Sequence, residues 1–433
     1  MTSMYVAGMR PATQYHMQAV VLAPDGSTFA DGDHLFTTAA LPTGYQPNFS
    51  IETPSGLPPQ PGIELMNALQ GALQAFATDL SGTVVWYYPE ASFSVQPIKL
   101  LPNGHLAVLI SPGTPTPVGT PEPAGAIDTI REIDLVGNTI RELSLSDLNN
   151  KLAAGGYTFT AFAYHHEITA LPNGHWLTFV AIQKQFTDLP GYPGTILVQG
   201  DVVIDLDQSF NPVWVWNEFD HLDVNRHPFQ FPDWTHSNAI IYSKDDGNIL
   251  VSLRHQNWLI KVDYNNGQGT GDIIWKLGYE GDFTLLGVTD PTDWFYAQHG
   301  PSFFSASTTG NFILGLFDNG DDRVFPANVS CGAPGAPPCN YSTVPILQID
   351  ESAKTATIVS KYGSSVLGGN TDQPPNSNIH FCESGTATGA AMTADIFEVT
   401  QSSTPQIVWH LHSPTAYIYR SYRLGSLYPG VQW

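Results

Sequence analysis

The sequence predicts an all-β protein, a six-bladed β-propeller preceded by a partial sandwich-like β-domain. Three observations predict it. Glycine (39), proline (34) and aromatic residues (12%) are abundant while charged residues reach only 13%, a mixture of turn formers and strand formers with little material for exposed helices. Short apolar runs recur along all 433 residues, with no heptad pattern and no run long enough to span a membrane. A turn at Asn-Gly, or a similar glycine turn, returns at the same place in successive units, which marks an internal repeat.

Residues 1–42 form the first segment. "VAGMRPATQYHMQAVVLAPDGSTFADGDHLFTT" (6–38) resembles the last strands of a fibronectin type III-like or immunoglobulin-like sandwich, with Tyr15 where a tyrosine corner would sit. So few strands cannot bury a face alone. Either preceding sequence is missing, or this hairpin packs on the main domain or on a second subunit. The first residues contain no apolar run of signal-peptide length.

Residues 43–433 carry the repeat. Each unit has a short apolar strand, a glycine turn, a second strand, a third ending near Asp, and a fourth carrying Trp or aliphatics. The unit openings are "IELMNALQGALQAFATDLSGTVVWYY", "QPIKLLPNGHLAVLI", "HEITALPNGHWLTFV", "HSNAIIYSKDDGNILVSL", "HGPSFFSASTTGNFILGL" and "HFCESGTATGAAMTADIFEV". Four short strands repeated six times make a propeller. A pair of β-sandwiches would explain the strands but not the fixed turn.

In a propeller the first strand of each blade lines the central axis, so its opening residue lies near the channel mouth. Aligned on the turn glycine, Gly104 has Gln96 eight residues earlier and Gly174 has His166 eight earlier. Gly247 and Gly310 have His236 and His299 eleven earlier, and Gly389 has His380 nine earlier. Four units therefore open on histidine, in a chain with 14 histidines. One such histidine is ordinarily a satisfied core residue; four in register point to a cluster. Arg254 follows His236 by 18 residues across one hairpin and returns to the same rim. A guanidinium fork beside imidazoles suits a tetrahedral oxyanion.

The net charge of −23, with 16 Lys and Arg, excludes a basic stripe for nucleic acid. The sequence holds no P-loop, GxSxG, dinucleotide-type GxGxxG or HExxH. "DNGDDR" (318–323) has a calcium-loop composition without EF-hand spacing and reads as a turn-rich loop. A His₃ metal site remains open as an alternative, although Arg254 would repel the ion and no carboxylate cage is evident beyond Glu167 and Asp233, which lie close in sequence. Cys331 and Cys339 bracket "GAPGAPP". A disulfide there would imply an oxidising compartment; metal binding by the pair is the other reading. Cys382 reads as a buried free thiol.

"HHEITALPNGHW", "DWTHSNAI", "SLRHQN", "QHGPSFF" with "LFDNGDDR", and "SYRLGSLYPG" together resemble the bacterial arylsulfate sulfotransferases that need no nucleotide sulfate donor. The resemblance covers about residues 45 to 433. It implies a six-bladed propeller with a small N-terminal β-domain, exported to the periplasm or secreted, often homodimeric and without a cofactor. It implies transfer of a sulfuryl group from a phenolic sulfate ester to a phenolic acceptor through a sulfohistidine. By motif, His299 is the nucleophile, and His236, His166 and Arg254 hold sulfuryl oxygens and assist proton transfer. Tyr164, Trp234, Asn238, His380 and Tyr419 are assigned to substrate binding, although for each aromatic taken singly ordinary blade packing is the stronger reading. The alternatives are a metal-dependent propeller hydrolase or lyase, and a non-catalytic propeller binding an anion or glycan.

Overall fold

The computed structural model describes residues 5–69, 72–89, 94–112, 128–288, 293–304, 309–325, 330–336, 338–364, 367–385, 387–388 and 391–428. Six sheets of four or five strands form the blades of the propeller, antiparallel except for Thr284–Leu286, which precedes the fifth blade in the chain and adds to its outer edge in parallel. The second to fifth blades run outward in chain order, beginning with Ser94–Leu100, Ala163–Ala170, Ser237–Tyr242 and His299–Phe303 as innermost strands. The turn glycines Gly104, Gly174, Gly247 and Gly310 all have φ between 73° and 84°, the left-handed region that only glycine enters freely. Strands such as Ile249–Leu253 and Trp258–Val262 are buried along their whole length. Their residues pack against neighbouring blades on both faces, which explains why they are apolar throughout rather than alternating.

The first and sixth blades depart from the predicted phase. The innermost strand of the first blade is Ile418–Leu424, from the other end of the chain, paired with Ile63–Ala68. The innermost strand of the sixth is Leu367–Asp372, and Ile379–Gly385 is its second. His380 therefore stands on a second strand and does not open the channel mouth; Gly389, used for its alignment, lies outside the described residues. The sequence "LGGNTD" (367–372) hides a strand because the axis is crowded. A Cβ on Gly369 would lie 1.6 Å from the Tyr419 carbonyl oxygen, and one on Gly368 would enter the Phe317 ring.

The chain before the first blade closes the ring a second way. Ser50–Glu52 forms the outer edge of the sixth blade against Ile407–Ser413, and Leu41, Tyr45 and Phe49 pack on the core between the sixth and first blades. Earlier residues make two short ladders, Gln14–Met17 with His34–Thr37 and Val20–Leu22 with Thr28–Ala30. The Tyr15 hydroxyl accepts the Arg10 N–H at 2.8 Å, the contact expected of a tyrosine corner. Cys331 and Cys339 form a disulfide with Cα atoms 4.8 Å apart, and Cys382 is a buried free thiol. Among the described residues no helix is long and apolar enough to cross a membrane.

Candidate active site

Three innermost strands deliver their histidines through the same local device. The ladder slips between His165 and Ile168, between Ser237 and Ala239, and between His299 and Ser302. Such bulges bend a strand and re-aim a side chain. His166 (φ 57°), His236 (φ 48°) and Ala297 (φ 50°) occupy the left-handed region, a conformation that costs a non-glycine residue about 1 kcal/mol or more. Part of that cost is borne where the rings are aimed.

The rings converge. His166 and His236 have centroids 4.9 Å apart, His236 and His255 4.7 Å, and Tyr419 lies 6.0 Å from His166 and 6.3 Å from His299. Arg254 closes the fourth-blade hairpin, its N–H reaching the His236 carbonyl at 3.3 Å. Of the charges acting on His299, the Arg254 guanidinium is the largest, followed by His236 and Arg420. His166, His236, His299, Arg254 and Tyr419 thus share one centre.

Carboxylates accompany these groups, contrary to expectation, and they arrive from loops. Asp233 accepts from His236 Nδ1 at 2.5 Å, and its backbone carbonyl accepts from His255 Nδ1 at 2.8 Å. Arg254 donates one arm to His255 Nε2 at 2.6 Å and another to Asp321 at 2.6 Å. His299 Nδ1 donates to Asn319 Oδ1 at 3.1 Å. The "DNGDDR" loop therefore orients both the guanidinium and His299, and leaves His299 Nε2 with its lone pair. His165 Nδ1 meets His166 Nδ1 at 2.9 Å, while Asp201 lies 3.1 Å from His165 Nε2 but out of hydrogen-bond alignment.

Four assignments are corrected. Tyr164 is buried among Leu148, Leu152 and Val180 in a core between blades, because the bulge at His165 changes the face presented after it. Trp234 is also buried, stacked on Phe219 at 5.1 Å with its indole N–H donated to the Arg226 carbonyl. Asn238 is fully buried and donates to the Gln298 carbonyl at 2.7 Å, so it positions the residue before His299. His380 is fully buried against Glu64, 3.2 Å away. Gln298 anchors His299 further by donating to Ser252, Leu253 and Trp258. Gly300 is required beside it, since a Cβ there would lie 2.4 Å from the Asn370 Cα.

Arg420 is the main functional candidate that sequence reasoning missed. It is fully buried on the closing strand, donating to Glu167 at 2.9 Å and to the Asn238 carbonyl at 2.5 Å. Its position as one of two arginines, Arg420 and Arg423, in the "IYRSYRL" strand was the available signal. His255 stood in a quoted motif without a role.

Burial is the largest influence on the rings. It pushes His299 and His166 well below the ordinary histidine value, helped by Arg254 and His236 for the first and by His236 and His165 for the second. Burial and His236 bring His255 down to about 4. These three rings are therefore neutral at pH 7. An unfolded chain would protonate them near pH 6.5, so each one subtracts stability as the pH falls below that value. Imidazole NMR signals of His299 and His166 are expected to remain those of the neutral ring at pH 6, where an ordinary histidine is about three-quarters protonated. Signals of imidazolium at that pH would contradict the burial argument.

The family model described as Arylsulfotransferase (ASST) matches residues 53–420. No curated protein matches the chain significantly. Among solved structures, a candidate 6-phosphogluconolactonase from Bacteroides fragilis is 12% identical over 92% of this chain and 90% of its own, with a TM-score of 0.40. A periplasmic gluconolactonase from Pseudomonas aeruginosa is 10% identical over 84% and 99%, with a TM-score of 0.41. Likeness at that level bears on neither substrate nor mechanism.

Proposed function

The chain belongs to the arylsulfotransferase family, and from that premise we propose that it moves a sulfuryl group from an aryl sulfate ester to a phenolic acceptor through an N-sulfo intermediate on His299. The observation that carries the proposal is the neutral His299 ring held by Asn319, with Arg254 as the strongest charge acting on it. In the first half-reaction His299 Nε2 forms a bond to sulfur as the sulfur–aryl oxygen bond breaks. His236 protonates the departing aryl oxide, and Asp233 on its Nδ1 steadies the ring throughout. Arg254 and Arg420 face the charge on the sulfuryl oxygens, where fixed cations in a water-poor site act most strongly. In the second half-reaction His236 takes the acceptor's proton, the acceptor oxygen bonds to sulfur, and the His299–sulfur bond breaks. Two half-reactions at one centre give ping-pong kinetics.

A metal-dependent reading has one observation in its favour: Asp233, His236 and His255 present ligand atoms within 4.8 Å of one another. Against it, Arg254 occupies His255 Nε2, so an ion would have to displace a guanidinium. The disulfide between Cys331 and Cys339 supports an oxidising location, periplasmic or secreted.

The test is intact-mass analysis after mixing with 4-nitrophenyl sulfate and no acceptor. The expected result is the mass of one sulfuryl group on the peptide containing His299, unaffected by chelator. Release of nitrophenol without any labelled protein would discard the covalent route.

A further inference from the structure

We propose that a divalent transition-metal ion of the zinc class binds on the outer part of the sixth blade, one strand in from its edge, on His410, His412 and Asp395. His410 and His412 are alternate residues of the fourth strand, Ile407–Ser413, and so project from one face of the sheet. The ladder places Asp395 directly opposite His412. His410 Nε2 and His412 Nδ1 lie 2.7 and 2.8 Å from the same oxygen, Asp395 Oδ1, and the three ligand atoms lie within 4.8 Å of one another. Two imidazoles and a carboxylate match the donor set of zinc and its neighbours, with a fourth position for water. Ligand bonds of about 2.0–2.1 Å require donors about 3.3 Å apart in a tetrahedron, so small side-chain rotations would admit the ion.

The surroundings are those of a supported site. The His410 ring stacks on Phe397 with centroids 4.3 Å apart and planes 4° from parallel, which fixes its plane. Its other nitrogen, Nδ1, faces Glu52 Oε2 at 3.8 Å. Ligating histidines commonly donate their second N–H to such a carboxylate, and a slight approach would complete that bond. The His412 side chain keeps 37% of its exposure, so an ion can enter from solvent. The fourth strand stands three strand spacings, roughly 14 Å, from the innermost one, which separates this site from the sulfuryl centre.

Glu52 gives the ion a structural consequence. It belongs to Ser50–Glu52, an edge strand attached to the sixth blade by three residue pairs. An ion on His410, oriented by Glu52, would staple the incoming chain to the last blade, next to the point where the closing strand completes the first.

Isothermal titration of the chelator-treated full-length chain with zinc chloride tests the proposal. One site of micromolar or tighter affinity is expected, accompanied by a rise in melting temperature. His412→Gln should weaken it at least a hundredfold and remove the thermal shift, and Glu52→Gln should weaken it about tenfold. His236→Gln should leave the stoichiometry at one. Because His412 is partly exposed, its variant is expected to fold; a cobalt-substituted wild-type chain, read by its visible absorption, gives an independent account of the ligand set. No micromolar zinc site, or a site lost in His236→Gln and kept in His412→Gln, overturns the proposal.

Discussion

Replacing His299 with asparagine is expected to lower sulfuryl transfer from 4-nitrophenyl sulfate to phenol by about 10⁴-fold or more, the scale on which loss of a catalytic nucleophile is felt. Asparagine keeps a polar group near Asn319 but has no nitrogen lone pair to attack sulfur. The fold should survive. His299 occupies the first position of its strand, and the strand is held by Gln298, whose amide makes three hydrogen bonds, and by the Asn238–Gln298 contact. Circular dichroism and melting temperature should therefore change little while burst release of nitrophenol disappears. A variant that still releases nitrophenol in a stoichiometric burst would place the covalent step elsewhere, with His166 the first ring to examine.

The residues most easily read from sequence were those on strands whose repeat was intact. His166 lies within the innermost strand of the third blade, His236 immediately before that of the fourth and His299 at the start of that of the fifth, where distance from the turn glycine is a measure of height along the channel. Arg254 was legible for the same reason, since a hairpin returns its end to the level of its beginning. The reading failed where the repeat was broken. His380 stands at a similar distance before a glycine, yet its strand is second in the sheet because Leu367–Asp372 precedes it. Two adjacent glycines and an asparagine do not look like a strand, and only the Tyr419 carbonyl and the Phe317 ring, supplied by distant segments, explain why side chains are excluded there.

Loop residues were out of reach for a different reason. Asp233, Asn319 and Asp321 hold His236, His299 and Arg254 through side-chain contacts. None has a periodic position, and acidic or amide residues are ordinary in turns. Tyr164 and Trp234 show the opposite error. Proximity in sequence to His166 and His236 suggested a role at the mouth, but the bulge and the stacking on Phe219 turn both into the packing between elements.

Arg420 carries the second large expectation. Methionine at this position should reduce kcat by two to three orders of magnitude, the order seen when a fixed electrostatic contact to developing charge is removed. Stability should fall by only about 2 kcal/mol, the worth of charged hydrogen bonds lost from a buried site. The smaller structural cost follows from Lys99, which also pairs with Glu167 and would keep that carboxylate from becoming a lone buried charge. Lys99 and Arg420 share Glu167, with the Asp372 carboxylate also within reach of both charges, and the Arg420 charge presses on both His166 and His299. Removing Arg420 should therefore let both rings accept protons at higher pH, visible in the same imidazole signals. Lys99→Met provides the contrast: it takes a cation from the same carboxylate but is not among the main charges acting on His299, so kcat should stay within about tenfold of wild type. Should Arg420→Met prove too unstable to assay, Arg420→Lys retains the charge while losing the two-armed reach to Glu167 and the Asn238 carbonyl, and should recover part of the rate. A kcat within threefold of wild type in the methionine variant, or unmoved His299 and His166 titrations, would reduce the closing strand's arginine to a structural pin.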